Sequence, residues 1–417
     1  MRPVALMEDL RRTHGDIFSF QLLGMGDVVM VSDPDLIKEI FTGDAGVLRA
    51  GEVARLLEPV VGRHSVLVLD ESEHMTERRL LLPPFHGERV GEYEDLIARI
   101  ARDELARWPI DEPFVLHARM QAITLEVIIR LVFGADREST RRDLRRALGT
   151  LMDATARSVA FQVPALRHDL GPWQPWSRMR SLVSDVDALI FRQIAERRSE
   201  GPGARSDVLS MLLDARREDG SGLSDRELRD ELVTVLTAGH ETTATALSWG
   251  FELLFRHRDS HDQLRVESME GGTRYADAVV KETLRLRPVI PLVARKLTRS
   301  WRLGHRKIPE GSVVAPSIYL MHRRVDIYPD PYAFRPERFL DTAPGTYTWL
   351  PFGGGRRRCV GAAFAQLEMR VVLQETLRSV ALRPAGPRQN FRRRSITIAP
   401  SEGTPAVARP IATLSRG

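Results

Sequence analysis

A helical pattern that runs without a break from Ser224 to about Arg256 constrains the fold more than any other part of the sequence. It begins with a capping box, in which Ser224 and Glu227 stand three residues apart. At a rise of about 1.5 Å per residue, a helix of this length spans about 50 Å, roughly the thickness of a domain of this size. Charged residues such as Glu231 and Glu241 argue against a membrane span. We therefore expect this helix to cross the core of a mainly helical protein.

The middle of this helix carries the segment AGHETT, residues 238–243, which helix stability alone does not explain. Gly239 costs about 1 kcal/mol relative to alanine. A glycine beside hydroxyl groups also marks a place where a helix can bulge and admit water or a ligand. A buried Glu241 next to Thr242 is a candidate proton relay. The alternative is a polar kink that the helix tolerates without any function.

The other patterns predict a mainly α fold with small β-sheets, in a single domain over 1–417. Its β-rich part is expected at about 1–70 and its helical core at about 71–417. The predicted elements are strands Ile17–Leu22 and Val28–Val31, a helix from Pro34 to Phe41, a helix starting near Asp70, helices over 88–107, 117–133, 140–157 and 179–198, an irregular lid over Val159–Trp176, a helix over 275–288, a helix after Gly361, and a hairpin of SITIAP with PAVARP around Ser401–Thr404.

The composition is ordinary for a globular protein and excludes several classes. Hydrophobic residues make up 43% of the 417 and charged residues 28%, and the net charge is only +5. No nucleic-acid-binding module is recognisable. The N-terminus has no apolar stretch long enough for a signal peptide or a membrane anchor. We therefore expect a cytoplasmic monomer with no membrane anchor and no nucleic-acid partner.

Cys359 is the single cysteine of the chain and lies in the run FGGGRRRCVG, residues 352–361. One thiol excludes an internal disulfide, a structural zinc site and an iron-sulfur cluster held by cysteines. A buried inert thiol, a nucleophile and a single thiolate ligand to a metal remain. The glycines allow the main chain to approach a flat ligand closely. The predicted helix after Gly361 places the sulfur near a helix N-terminus, which is expected to lower the pKa of the thiol.

Two further segments lie between the long helix and Cys359. Glu282 and Arg285 stand three apart on a predicted helix, a spacing that allows an ion pair, and AFRPERF follows at 333–339. The ordered set AGHETT, ETLR, FRPERF and FGGGRRRCVG resembles the cytochrome P450 haem-thiolate monooxygenases. The last segment matches that family's FxxGxRxCxG signature at Phe352, Gly355, Arg357, Cys359 and Gly361.

The resemblance implies the cytochrome P450 fold, with the long helix across the haem, and haem b as the cofactor. Cys359 would be the proximal thiolate ligand of the haem iron, and Phe352 would cover its sulfur. The residues that would contact the haem propionates are His74, Arg78, Arg295 and Arg357.

On the other side of the haem, the resemblance implies that Ala238 and Gly239 form the groove that receives dioxygen. Glu241 and Thr242 would be the catalytic pair that delivers protons. A structural network beneath the haem would consist of Glu282, Arg285 and Arg338.

The resemblance also implies a hydrophobic small-molecule substrate, O2, and electrons from NAD(P)H through a separate ferredoxin or flavodoxin. The apolar stretch 289–294 would line the substrate pocket. A basic patch of Arg78, Arg79, Arg356 and Arg358 would receive the acidic electron donor. A haem-thiolate peroxygenase or isomerase and a non-enzymatic haem-binding sensor remain as alternatives. The segment 257–274 is shorter than the corresponding helix and connection in the family.

Overall fold

The computed structural model describes residues 3–411 except 23–24, 135–136, 158–166, 168–174, 202, 204 and 395. It confirms a mainly α fold with small, separate sheets. The long helix, Asp225–Arg256, begins with the predicted capping box, because Ser224 caps the helix and Glu227 bonds back to the Ser224 N–H. Most of its side chains are buried, and it packs most extensively against helix Leu116–Phe133. It therefore crosses the core as expected.

The long helix and most of the other helices bury one large apolar core, whereas Pro34–Thr42 and Pro3–His14 contribute to two separate clusters. Within the described residues, the helices of seven residues or more, the long helix included, are Pro3–His14, Pro34–Thr42, Glu71–Leu81, Glu94–Leu105, Leu116–Phe133, Glu138–Arg157, Pro175–Glu200, Val208–Asp214, Asp225–Arg256, Arg258–Glu270, Arg274–Leu286 and Ala362–Ser379.

Three of these longer helices had no counterpart among the predicted elements, namely Pro3–His14, Val208–Asp214 and Arg258–Glu270. The predicted helix over 88–107 is broken at Tyr93, whose ring packs edge-on against Phe364. Most of the predicted lid, Val159–Trp176, lies outside the described residues. Within the described part of the chain, no helix is long and apolar enough to cross a membrane.

The largest sheet has five strands and joins the start of the chain to its second half. In spatial order its strands are Ile17–Leu22, Gly26–Val31, Val313–Pro316, Arg295–Leu297 and Leu48–Arg49. The first two form the predicted antiparallel pair. Three smaller sheets are formed by Trp301–Leu303 with Arg306–Ile308, by Phe391–Arg394 with Thr397–Pro400, and by Pro113–Val115, Pro405–Pro410 and Val380–Pro384.

The predicted hairpin around Ser401–Thr404 is wrong. Strand Thr397–Pro400 pairs with the segment before it, whereas strand Pro405–Pro410 lies in a different sheet. Gly403 and Thr404 both have positive φ angles, 71° and 57°, and their carbonyls accept hydrogen bonds from the N–H groups of His117 and Leu116. The start of a helix therefore holds this turn and separates the two strands.

Candidate functional site

The loop that carries Cys359 docks against helix Pro34–Thr42. Gly355 has a φ of 63°, and a Cβ atom added there would lie 2.2 Å from the carbonyl oxygen of Phe41. An added Cβ at Gly354 would lie 2.4 Å from the Phe41 ring. The glycines are therefore needed for close contact with Phe41. By contrast, a Cβ added at Gly361 would meet open space, and the Cys359 side chain is accessible.

The pKa of Cys359 is raised, not lowered as the sequence predicted. Desolvation is the largest cause, although the side chain retains accessible surface, because protein atoms surround the site closely. The N–H of Gly361 hydrogen-bonds the sulfur and lowers the pKa, as do the charges of Arg78 and Arg358, but they do not outweigh desolvation. The protein alone thus favours the thiol, and a metal ion that binds the sulfur would remove its proton.

A cluster of cations lies beside the cysteine loop. The buried His74 has a pKa lowered to about 3, first by desolvation and then by the charges of Arg357, Arg78 and Arg295. Desolvation and Arg357 also lower the pKa of Arg295 to about 10. Arg357 pairs with Asp70 at 2.6 Å. The structure therefore brings together all four residues that the sequence assigned to the propionates.

The charges of this cluster fit an anionic cofactor. Within the described residues, Asp70 is the one carboxylate that pairs with any of Arg78, Arg295 and Arg357. It also accepts hydrogen bonds from the N–H groups of Gly51 and Glu52. Three guanidinium groups thus share a single negative charge. The two propionates of haem b would supply the two charges that are missing, through charge-assisted hydrogen bonds.

The middle of the long helix has an accessible face. Ala238 is exposed, and Gly239 and Thr242 are half-buried, although most side chains of the helix are buried. The hydroxyl of Thr242 donates to the Ala238 carbonyl at 2.6 Å. The helix remains continuous through this segment, so the bulge that the sequence suggested is not formed. Small side chains alone open this face.

Glu241 points towards helix Leu116–Phe133. Gln121 Nε2 donates to Glu241 Oε2 at 2.7 Å. The other oxygen, Oε1, lies 3.5 Å from Arg394 Nε and 3.6 Å from His117 Nε2, and it has no hydrogen bond among the described residues. Burial raises the pKa of Glu241, while Arg394 and Gln121 oppose this rise. The described contacts include no hydrogen bond between the Glu241 carboxyl and the Thr242 hydroxyl.

Replacing Arg394 by glutamine is expected to raise the pKa of Glu241 further, because burial then acts against a weaker opposing charge. The carboxyl should stay protonated to a higher pH than in the wild type. The infrared band of its protonated form, identified by its loss in Glu241→Gln, measures the midpoint. Arg392→Gln on the same strand is the control, because Arg392 is exposed and bonds the Ser401 carbonyl. Equal midpoints in Arg394→Gln and the wild type would contradict the assignment.

Glu282, Arg285 and Arg338 also meet in the structure. Arg285 binds both carboxylate oxygens of Glu282, at 2.6 and 2.8 Å, and both side chains are fully buried. Arg338 Nε lies 3.4 Å from Glu282 Oε1. The remaining N–H groups of Arg285 donate to the carbonyls of His322, Pro331 and Ala333. The network therefore ties helix Arg274–Leu286 to two later segments.

Several residues that shape this site had no role in the sequence-based predictions. Asp70 precedes a helix and is typical of an N-cap, yet its side chain makes no cap bond and binds Arg357 instead. His117, Gln121 and Arg394 surround Glu241 from elements far along the chain. No local pattern marks them, because their role depends on tertiary contacts.

The fold and the site define a class: a helical protein with one accessible thiol and a cation cluster suited to haem. The family model for cytochrome P450 matches residues 1–404. The chain is 42% identical over 380 residues to cytochrome P450 135B1 of Mycobacterium tuberculosis, covering 89% of this chain and 80% of the relative. It is 38% identical over 403 residues to cytochrome P450 137 of the same species, covering 96% and 84%. The chain belongs to the cytochrome P450 family.

Solved structures show the same fold. The retinoic acid-bound cyanobacterial CYP120A1 superposes with a TM-score of 0.83 at 24% identity, covering 97% of this chain and 94% of that one. CYP175A1 from Thermus thermophilus gives 0.77 at 27% identity, covering 98% and 95%. Family membership makes this protein a monooxygenase with haem b as its cofactor. It therefore uses O2, a substrate and an electron donor.

Proposed function

We propose that this protein inserts one oxygen atom from O2 into a hydrophobic small molecule, with electrons from NAD(P)H delivered by a separate ferredoxin or flavodoxin. One observation carries the proposal. The accessible Cys359 lies beside three arginines that share a single carboxylate, Asp70, while the long helix exposes Ala238 near its centre. A thiolate-bound haem supplies the electron donation that favours cleavage of an O–O bond.

We assign the roles of individual residues from their positions. Cys359 binds the iron, and Phe352 packs beside it, with its carbonyl accepting the Cys359 N–H at 2.9 Å. His74, Arg78, Arg295 and Arg357 hold the propionates. Ala238 and Gly239 leave space for dioxygen. Glu241 is the proton source and Thr242 the hydroxyl on the accessible face; because the two side chains share no direct hydrogen bond, a water molecule is needed to carry the proton between them.

The apolar pocket is supported by the stretch 289–294. Val289 is buried, and Ile290, Leu292 and Val293 are half-buried. Val293 lies 3.8 Å from the position that a Cβ on Gly353 would take, so this stretch reaches the cysteine loop. An apolar wall so close to the reactive centre favours hydrophobic substrates. Screening terpenoids, steroids, fatty acids and polyketides for a spin-state shift in the haem spectrum tests this, and shifts with charged, polar compounds alone would contradict it.

We place the docking surface for the electron donor at Arg78, Arg79, Arg356 and Arg358. Arg356 and Arg358 are exposed in the cysteine loop, and Arg79 is exposed and pairs with Glu218. A positive surface attracts an acidic partner over distances comparable with the Debye length. The charges of Arg78 and Arg358 lower the pKa of Cys359, which shows that this surface is close to the sulfur.

Reduction by an acidic ferredoxin is expected to slow by roughly tenfold or more between low and high salt, because salt screens this attraction. Stopped-flow rates at a series of ionic strengths measure the effect. Arg356→Gln with Arg358→Gln should lower the low-salt rate and flatten the salt dependence. Arg383→Gln, exposed on strand Val380–Pro384, is the matched control. Rates independent of salt in the wild type would rule out this docking surface.

A further inference from the structure

Three buried polar side chains near the start of the long helix have no part in the chemistry described so far. They are Asp230, Glu231 and Thr234, exposed by only 7%, 1% and 4%. Burying a carboxyl group is costly unless hydrogen bonds or counter-charges compensate for the lost water, and two adjacent residues of this core helix carry such groups. All three side chains bind the same loop, residues 62–69.

Each contact with the loop is specific. Asp230 Oδ2 accepts the His64 N–H at 3.0 Å, and the hydroxyl oxygens of Thr234 and Ser65 are 2.6 Å apart. Gly62 passes so close to Asp230 that an added Cβ would lie 2.0 Å from its Oδ1. The loop is therefore fixed to the long helix at three successive points.

The central point is Val66, whose two backbone groups bind different parts of the fold. Its N–H donates to Glu231 Oε1 at 2.8 Å, and its carbonyl accepts from Arg357 Nη1 at 3.1 Å. Leu69, at the end of the same loop, also gives its carbonyl to Arg357. A single peptide segment thus links a side chain of the long helix to a guanidinium of the cysteine loop.

We propose that Glu231 is a positioning residue for Arg357, acting through Val66, and that it thereby strengthens haem binding. The inference rests on the proposed role of Arg357 as a propionate ligand. Arg357 reaches the loop through two carbonyls and Asp70, so a displaced loop would move the guanidinium. Glu231 holds this loop through the N–H of the same residue, Val66, whose carbonyl binds Arg357.

Burial favours the neutral form of Glu231 in this arrangement. Burial raises its pKa well above the usual range, and the charges of Glu77 and Asp230 raise it further, against the opposing hydrogen bond from Val66. Its second oxygen, Oε2, has no partner among the described residues. A glutamine would keep the acceptor for the Val66 N–H with the same neutral charge. A leucine would leave that N–H buried without a partner.

The experiment measures haem loss from the holoenzyme to an excess of apomyoglobin. Glu231→Gln should lose haem at the wild-type rate within about twofold, whereas Glu231→Leu should lose it at least about fivefold faster, the low end of the effect of an unpaired buried donor. Arg357→Gln should also accelerate haem loss. The double variant Glu231→Leu/Arg357→Gln should lose haem no faster than Arg357→Gln alone, because both changes act on one contact.

The outcomes separate the inference from the proposal on which it rests. If Arg357→Gln loses haem fast but Glu231→Leu loses it at the wild-type rate, the role of Glu231 is wrong and the propionate role of Arg357 stands. Additive effects on haem loss in the double variant would lead to the same conclusion. Unchanged loss in Arg357→Gln would refute the propionate role and the inference together.

Should Glu231→Leu fail to fold, Thr234→Val tests the same loop. It should also accelerate haem loss without adding to Arg357→Gln, and a rate equal to that of the wild type would overturn the inference. Thr237→Val is its matched control, because the hydrogen bonds of Thr237 stay within the helix.

Discussion

Glu282→Gln is expected to lower the free energy of unfolding by about 3–5 kcal/mol, because it leaves the guanidinium of Arg285 buried without its counter-charge. Both side chains are fully buried, so water cannot replace the lost partner. Glutamine keeps an acceptor of the same shape, so lost packing contributes little. A natural domain has a total stability of about 5–15 kcal/mol, and this change therefore removes a large share.

Asp277→Asn on the same helix is the matched control for this change. Asp277 lies 3.5 Å from Arg370, and 46% of its side chain is exposed, so the loss should stay below about 1 kcal/mol. Urea midpoints measured at equal slope compare the two variants. Equal losses of unfolding free energy in Glu282→Gln and Asp277→Asn would show that the buried ion pair stabilises the fold no more than an exposed one.

Thr242→Ala is expected to lower the yield of oxygenated product by about 10²-fold, the low end of what a lost acid-base group costs. The change removes the hydroxyl on the accessible face of the long helix. Reduced oxygen should then leave as hydrogen peroxide while NAD(P)H is still consumed. The measurement uses a compound found by the spin-state screen as substrate. The amounts of product and peroxide formed per NAD(P)H consumed show how the electrons are divided between the two.

Thr243→Ala separates the role of the hydroxyl from helix stability. Thr243 also donates to the carbonyl four residues earlier, at 3.0 Å, but its side chain is buried. Its product yield should stay within about twofold of the wild type, because local helix bonds of this kind contribute little. If Thr242→Ala keeps its product yield, or works equally well with added peroxide, the peroxygenase alternative gains support.

The sequence alone predicted the parts of the fold and site that depend on local patterns. The long helix follows from an unbroken period and a capping box, and both are formed as expected. The cysteine segment could be recognised because the spacing of Phe352, Arg357 and Cys359 is specific. Glu282 and Arg285 are on one helix, so their pairing follows from their spacing.

Contacts between distant segments could not be predicted in this way. Glycine is needed at 354 and 355 because Phe41 packs against them. The carbonyl of Val66 accepts a hydrogen bond from Arg357, which is 291 residues away in the sequence. The raised pKa of Cys359 has the same origin, since neighbouring segments desolvate a sulfur that the local helix alone would favour as an anion. The predicted hairpin at Ser401–Thr404 was wrong for the same reason, because the first N–H groups of helix Leu116–Phe133 bind the carbonyls of this turn.

The absorption spectrum of the reduced, carbon monoxide-treated protein shows whether Cys359 binds the haem iron as a thiolate. We expect the strongly red-shifted Soret band of thiolate ligation in the wild type, and its loss in Cys359→His. A Soret band without that shift in the wild type, or the same band in both proteins, would contradict it.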